Sequence, residues 1–442
     1  MPPPELAPIL DEIQKKGSSR LMHVVSNQLQ AETTADPYLP WDKLRFKKPP
    51  GDLTHEEWWL VTKLGRQALQ RSIPLLDMEG KPFTYALPDE ALKAIEEVNK
   101  YLSGHIAMAE RVATSANRDD YLMNSLMEEA ITSSQLEGAA TTQAVAKEMI
   151  RSGRPPSTKD ERMIYNNYAA MRRIRDLRGQ PLTIDLLHEL HQIVTDQAID
   201  NPEAAGRFQL PGEVRVVVVD VHGTTFHEPP PAEELPERMQ RLCDFANGEL
   251  GEAYVPGVIR AIIVHFMVGY EHPFEDGNGR TARALFYWMM LNQDYWLTEF
   301  LSISTILKNA PAQYGYSILY TEQDDNDLTY FILYQLKVIK KAIAELHSFL
   351  DRKLQEVRDF QRSIAAMPGE FNHRQLALLQ HALRHSEAVY SVLTHGRSHD
   401  VTRQTARQDL FDLEERGLLT RTTQGRKFFW SPVADLVERL KG

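Results

Sequence analysis

The sequence predicts a mainly α protein with two short β-hairpins. Three observations carry that expectation. Most of the chain is built of segments with apolar residues at helical spacing, opened by capping residues and closed by glycine. One stretch, residues 212–231, is instead β-branched, turns near Gly223 and ends in three prolines. Beyond "MPGE", 367–370, the periodicity changes to three short helical segments and a two-stranded turn around Gly425.

The elements follow in chain order. "THEEWWLVTKLGRQALQRS" opens with a Thr cap and two acids in its first turn, a helix-start signature. "PDEALKAIEEVNKYLSG" begins at Pro88 and stops at Gly104. "SANRDDYLMNSLMEEAITSSQLEG" runs helically to Gly138, and "STKDERMIYNNYAAMRRIRDLRGQ" and "TIDLLHELHQIVTDQA" are amphipathic with Ser or Thr at their starts. After the hairpin, "VIRAIIVHFMVGY" and "ALFYWMML" are apolar enough to be buried helices, and a long helical run continues to residue 366. In the tail, "VTRQTARQDLFDLEERGLL" carries Leu410 and Leu413 on one face, with Leu418 just beyond.

Composition narrows the class. At 442 residues the chain holds roughly three domains at about 150 residues each. With 42% hydrophobic and 25% charged residues it has the balance of an ordinary globular protein. No run of 18 apolar residues predicts a membrane span, and the N-terminus lacks the pattern of a secretory signal. The single cysteine, Cys243, cannot form an internal disulfide, which suits a reducing, cytoplasmic setting; its apolar neighbours mark it as a buried small hydrophobe. Residues 371–442 carry 11 Lys/Arg against 8 Asp/Glu, net +3, while the other 370 carry 39 against 53, net −14. Only the tail is a candidate for nucleic acid.

Between the two apolar helices lies "HPFEDGNGRTAR", residues 272–283. Gly277 and Gly279 flank Asn278 ahead of a helix expected to start near Thr281. Glycines let backbone N–H groups turn toward one point, and a helix N-terminus adds partial positive charge, which makes an anion site suited to phosphate. Arg280 and Arg283 share a helical face, so both guanidiniums can reach the same anion. Asp276 is a hard oxygen ligand for Mg²⁺ beside phosphates. His272 titrates near neutrality and can act as a general base. Phe274 is expected to point inward and pin the loop. These groups invite attack by a hydroxyl on a nucleotide phosphate. No G-x-x-x-x-G-K-(S/T) loop exists, which argues against an ordinary NTPase.

The twelve residues resemble the Fic family signature HPFx(D/E)GNGRxxR at every fixed position, and the likeness extends over an all-helical core of roughly residues 110–340. The resemblance implies AMP transfer from ATP to a Ser, Thr or Tyr hydroxyl of a target protein, the enzyme itself included. It implies that His272 is the base, that Asp276 holds Mg²⁺, and that Gly277, Asn278, Gly279 and Arg280 cradle the α- and β-phosphates. Arg283 would reach the γ-phosphate. Some members transfer phosphate, UMP or phosphocholine, or remove AMP. A second reading of the chain is a transcriptional or interaction module in which the loop only senses ATP, against which the intact His272 argues.

Two further stretches take meaning from the resemblance. "SSQLEG", 133–138, matches the family's inhibitory pattern (S/T)xxxE(G/N) through Ser133, Glu137 and Gly138. It implies that Glu137 occupies Arg283, since one guanidinium fork cannot serve two anions. The hairpin 212–231 stands where the family has a flap that holds the target by strand addition, with Val219, Asp220 and Val221 as the docking residues. The implied division is an N-terminal helical extension over 1–109, a Fic domain over 110–366 with its inhibitory helix at 120–138, and a third domain over 371–442.

The tail resembles winged helix-turn-helix domains. Thr402, Arg403, Gln404, Thr405 and Arg407 would face a major groove, with Arg426 and Lys427 on phosphate. DNA binding and protein docking, including assembly into a homodimer, both stay open, because a net charge of +3 is small for DNA. Other patterns are weaker. "HELH" around His188 and His191 lacks the H-E-x-x-H spacing of a metalloprotease. His222, His227 and Glu228 fit no strong metal spacing and read as plain hairpin residues. Tyr314, Tyr316 and Tyr320 read as core more than as a base-stacking stripe.

Overall fold

The computed structural model describes residues 2–28, 37–103, 118–215, 218–219, 225–251, 253–365, 370–384, 388–424, 427–433 and 435–440. It is mainly α, with three two-stranded antiparallel sheets among the described residues. No described helix is long and apolar enough to cross a membrane. The chain divides into two compact units, residues 1–106 with 122–343, and residues 107–121 with 344–442.

The first unit opens with α1 (Leu6–Lys15), α2 (Ser18–Gln28), α3 (Trp41–Leu44) and α4 (His55–Gln67). Ile9, Ile13, Val24, Trp59 and Leu60 form their common core. Helix α4 starts where the sequence places it: the Thr54 hydroxyl accepts from the Glu57 N–H at 3.1 Å and the Glu57 carboxylate accepts from the Thr54 N–H at 2.9 Å. It stops at Gln67, five residues short of the sequence expectation, because the chain then turns into a hairpin of β1 (Arg71–Leu76) and β2 (Pro82–Tyr85). This hairpin departs from the wholly helical extension expected from the sequence. Ile73, Leu75, Phe83 and Tyr85 alternate inward, and the turn is made by Asp77, whose carboxylate takes the Lys81 N–H at 2.7 Å, and by Gly80 at φ +78°.

The helices that build the site follow: α5 (Asp89–Leu102), α6 (Arg118–Leu136), α7 (Gln143–Ser152), α8 (Lys159–Asp176) and α9 (Ile184–Thr195). Thr142, Thr158 and Thr183 cap α7, α8 and α9 through their side chains. Of the expected flap, the described strands are β3 (Val218–Val219) and β4 (Thr225–His227), which pair antiparallel. Val219 lies on β3, whereas Asp220 and Val221 lie outside the described residues. Helix α10 (Leu235–Asn247) buries Cys243, and burial pushes its thiol up to about 12, so it is a packed apolar residue at neutral pH. At the centre stand α11 (Gly257–Glu271) and α12 (Asn278–Asn292), apolar on all sides and almost wholly buried. Next come α13 (Ile303–Asn309), α14 (Pro311–Gln323) and α15 (Thr329–Ala365).

In the second unit, α16 (His373–Arg384), α17 (Val392–Ser398) and α18 (Arg403–Glu415) precede a hairpin of β5 (Leu419–Gln424) and β6 (Lys427–Pro432), then the short α19 (Leu436–Arg439). Leu378, Leu379, Leu410, Leu413 and Trp430 make its core. Asp409 is buried but satisfied, accepting from Arg374 at 2.7 and 3.0 Å and from Asn372 at 2.8 Å. Arg403, Gln404, Arg407 and Lys427 are exposed, as a surface role requires, and Arg426 lies outside the described residues.

Candidate active site

The site is assembled where α11 stops and α12 starts. Helix α11 ends on His272, which adopts a left-handed conformation at φ 44°, ψ 53°. That conformation costs a non-glycine residue on the order of 1 kcal/mol. It is held by Arg215, which donates to the carbonyls of Glu271 at 2.6 Å and His272 at 3.0 Å and so covers the end of the helix. Burial is the main reason that the His272 ring is held down at about 4, with the nearby His227 and Arg215 adding to the effect. At neutral pH the ring is therefore an unprotonated base.

The loop after it is clamped on both sides. Asn278 accepts from the Phe274 N–H at 2.9 Å and donates to the Phe274 carbonyl at 2.7 Å. Phe274 is fully buried, as its sequence position suggests, and lies flat on His191 with ring centres 3.7 Å apart. His191 accepts from the Gly206 N–H at 2.9 Å through Nδ1, so Nε2 carries the proton and donates to the Asp276 carbonyl at 2.8 Å. Burial holds this ring down at about 4 as well. His191, whose spacing from His188 carries no motif, thus fixes the loop. The signal available was its place on a helix capped by Thr183, facing the motif only in three dimensions.

Helix α12 begins at Asn278, three residues before the expected Thr281. Gly277 takes the left-handed cap position at φ 81°, where a Cβ would also lie 2.9 Å from Thr195 Cγ2. Asn278 and Gly279 are therefore in the first turn, where backbone N–H groups have no partner within the helix, and both residues line the cavity. The two arginines part company. Arg280 is buried and donates to the Val194 carbonyl at 3.0 Å, with Asp276 at 3.5 Å, so its guanidinium ties α12 to the end of α9. The expectation that both forks converge on one anion is not what the side chains do. The carbonyls at the end of α9 need donors, and Arg280 supplies them.

Arg283 is held by the C-terminal end of α6 and the residue that follows it. Its Nε donates to Ser133 Oγ at 2.7 Å, and one terminal nitrogen donates to the Ser133 carbonyl at 3.0 Å and to Glu137 Oε1 at 2.9 Å. Arg283 is 2% exposed, whereas the Glu137 side chain is 31% exposed and reaches over the start of α12. A Cβ on Gly279 would lie 2.2 Å from Glu137 Oε1, so the glycine is what lets an anion sit so close to the helix start. Asp276 has a half-exposed carboxylate that also accepts from the Gly277 N–H at 2.5 Å.

These groups open onto one cavity of about 570 Å³. His272, Asn278, Gly279, Arg283 and Glu137 line it. Helix α14 contributes Ala312, Tyr314, Gly315, Tyr316 and Leu319, with Tyr314 against Arg283, and His227, His265 and Glu322 are also in the lining. Tyr314 and Tyr316, expected as core, are thus cavity residues. Tyr314 bonds His265 Nε2 at 3.0 Å, and Tyr316 stacks on Tyr320 with ring centres 5.8 Å apart. Their helical spacing was visible in the sequence, but which face met a void was not. Among the described residues no group of three or more His, Cys, Asp or Glu could hold a metal ion.

Residues 181–290 match the Fic/DOC family. A protein adenylyltransferase Fic from Nematostella vectensis is 33% identical over 126 residues, 28% of this chain and 26% of that protein. One of the same name from Drosophila grimshawi is 29% identical over 208 residues, 47% and 38% of the two chains. The chain thus spans well under half the length of these curated relatives. A crystal structure of a Fic family protein from Desulfovibrio desulfuricans G20 is similar with a TM-score of 0.53 over 79% of this chain and 98% of that one, at 17% identity, a likeness of fold.

Proposed function

We propose that the chain, whose residues 181–290 match the Fic/DOC family, is a protein adenylyltransferase restrained in cis by Glu137. The observation that carries the reading is the sharing of one cavity by an unprotonated His272, the amide end of α12 and an Arg283 already gripped by Glu137. The substrate is ATP. Its phosphates lie over Gly277, Asn278, Gly279 and the backbone of Arg280, and the γ-phosphate needs Arg283. The hydroxyl of a target Ser, Thr or Tyr, on another protein or on this one, attacks the α-phosphorus while His272 takes its proton. The new oxygen–phosphorus bond forms as the bond to the bridging oxygen breaks, and pyrophosphate leaves. The hairpin at β3 and β4, with Val219, Asp220 and Val221, holds the target's strand.

Asp276 suits Mg²⁺. It offers a hard, half-exposed carboxylate beside the helix start, and Mg²⁺ on a nucleotide commonly takes one or two carboxylates with the rest of its ligands from phosphate and water. The ion supplies charge neutralisation for the phosphates; Asp276 would hold it. Residues 1–109 then form the extension, 110–366 the Fic domain and 371–442 a winged helix domain. The exposed Arg403, Gln404, Arg407 and Lys427 support a surface role for that last domain, with DNA or a protein as partner. Retention of the full chain on random duplex DNA at low salt, lost in Arg403→Ala/Arg407→Ala, separates the two.

Labelled ATP with Mg²⁺ tests the activity. The wild type should label itself weakly. Glu137→Gly should raise the signal about ten-fold or more, the worth of one charge-assisted hydrogen bond. His272→Ala in that background should lower it by about 10²-fold or more. No gain in Glu137→Gly overturns the restraint, and a mass adduct other than AMP overturns the transferred group.

A further inference from the structure

Both ring nitrogens of His227 face acceptors. Nδ1 lies 2.8 Å from Glu322 Oε2 and Nε2 lies 2.7 Å from the Tyr270 carbonyl. A carbonyl has no proton to give, so Nε2 carries one. A carboxylate likewise accepts, so Nδ1 carries the second, and the ring meets both partners as an imidazolium. Three elements meet at this ring: β4 brings His227, α14 brings Glu322 and the end of α11 brings Tyr270. His227 is buried, and it lines the same cavity as Glu322 and His272.

The other charged groups around it are accounted for. Glu271, next to Tyr270, is paired with Arg238 at 2.6 and 3.1 Å. Arg215 is directed at the Glu271 and His272 carbonyls and at the Pro230 carbonyl, 2.9 Å away. Glu228 follows at the end of the same strand, and His272, just past the end of α11, lines the same cavity. None of these relieves His227 of its proton.

We propose that His227 is a positioning residue: as an imidazolium it fastens the hairpin's second strand to both helices that wall the cavity, and it sets a fixed positive charge beside His272. This rests on the reading of His272 as general base. A neighbouring cation disfavours protonation of an imidazole, so the pair adds to the effect of burial in keeping the base free at neutral pH. The fastening and the charge are separable. Glu322→Gln offers Nδ1 an amide donor, so a neutral ring still bonds on both sides: the tie stays and the charge goes. His227→Gln removes the charge and weakens the tie.

Imidazole NMR titration of the full-length protein tests this, with His272→Gln assigning the His272 signal. In Glu322→Gln and in His227→Gln the His272 midpoint should rise by about half a unit or more. Thermal melting should hold in Glu322→Gln, which keeps the result readable if His227→Gln folds poorly. An unchanged His272 midpoint in Glu322→Gln overturns the proposal. The titration needs no turnover, so it stands whether or not AMP transfer is found. With transfer, the acid limb of the rate profile in a Glu137→Gly background should move up with the midpoint, and an acid limb that stays put while the midpoint moves counts against the proposal.

Discussion

Gly279 shows how much a single residue decides. A methyl group there would collide with Glu137 Oε1 at 2.2 Å and crowd Arg283 at 3.0 Å, although the backbone itself is ordinary helix. Gly279→Ala should therefore lower stability by about 1–3 kcal/mol, through overpacking against a charged contact. The cost should shrink clearly in Glu137→Gly/Gly279→Ala, because the colliding carboxylate is gone. A double-mutant cycle by urea unfolding reads the coupling, and simple additivity would refute it. Gly277 differs: at φ 81° and 2.9 Å from Thr195, any side chain is strained whatever Glu137 does. At His272 the expected behaviour is a rate that depends on the unprotonated ring. Activity should stay flat through neutrality and fall only as pH drops toward about 4, read from the pH profile of kcat/KM.

At the scale of elements, the loop between α14 and α15 is held from outside the site. Lys63 on α4 donates to Asp324 at 2.6 Å and Asp325 at 3.1 Å, and Arg66 donates to Tyr330 at 2.8 Å. Asn326 donates to Asp77 at 2.6 Å, and its carbonyl accepts from the Thr84 N–H at 3.1 Å. The α4 helix and the β1–β2 turn therefore fix where α14, which lines the cavity, ends. Asp325 and Asn326 both have positive φ, a conformation that this anchoring sustains. Lys63 and Asp324 are both buried, so Lys63→Met strands a carboxylate and should cost about 3–5 kcal/mol in urea unfolding. Lys63→Met/Asp324→Asn should recover part of that loss. Behind the loop, Thr183→Ala should cost about 1 kcal/mol by removing the cap of α9, the helix that carries His191.

For the whole molecule, three buried imidazoles set a pH dependence of stability. Burial holds His191 and His272 at about 4 and His265 at about 3, below the ordinary histidine value near 6.5. Between about 6.5 and those values the unfolded chain binds more protons than the folded one, so stability rises with pH across this window. Their contribution is whole above 6.5 and lost as pH falls toward 4. His227 opposes the trend: burial pulls its pKa down, but the bond and charge of Glu322 outweigh that and leave it raised, so its share is present below 6.5 and fades as pH rises through the raised value. The net expectation is a chemical denaturation midpoint that falls steadily from pH 7 to pH 4, with His191→Phe flattening the slope by one proton's share.

Much of this architecture is legible along the chain because its causes are local. Thr54, Thr158 and Thr183 announce helix starts through their own side chains, and Gly138 and Gly277 mark turns through their own backbone freedom. The run 272–283 holds base, hard ligand and glycines within twelve residues, so its chemistry can be read without knowing what surrounds it. The hairpin at Arg71–Tyr85 was not legible, because its alternation is only four to six residues long and abuts a strong helix. What depends on distant partners was decided by packing alone. Arg280 turned to the Val194 carbonyl because only the folded chain places the end of α9 beside it. His191 became the loop's anchor, and His227 a charged tie, for the same reason: a hydrogen bond needs its acceptor within about 3 Å, and sequence spacing does not carry that distance across 85 or 95 residues.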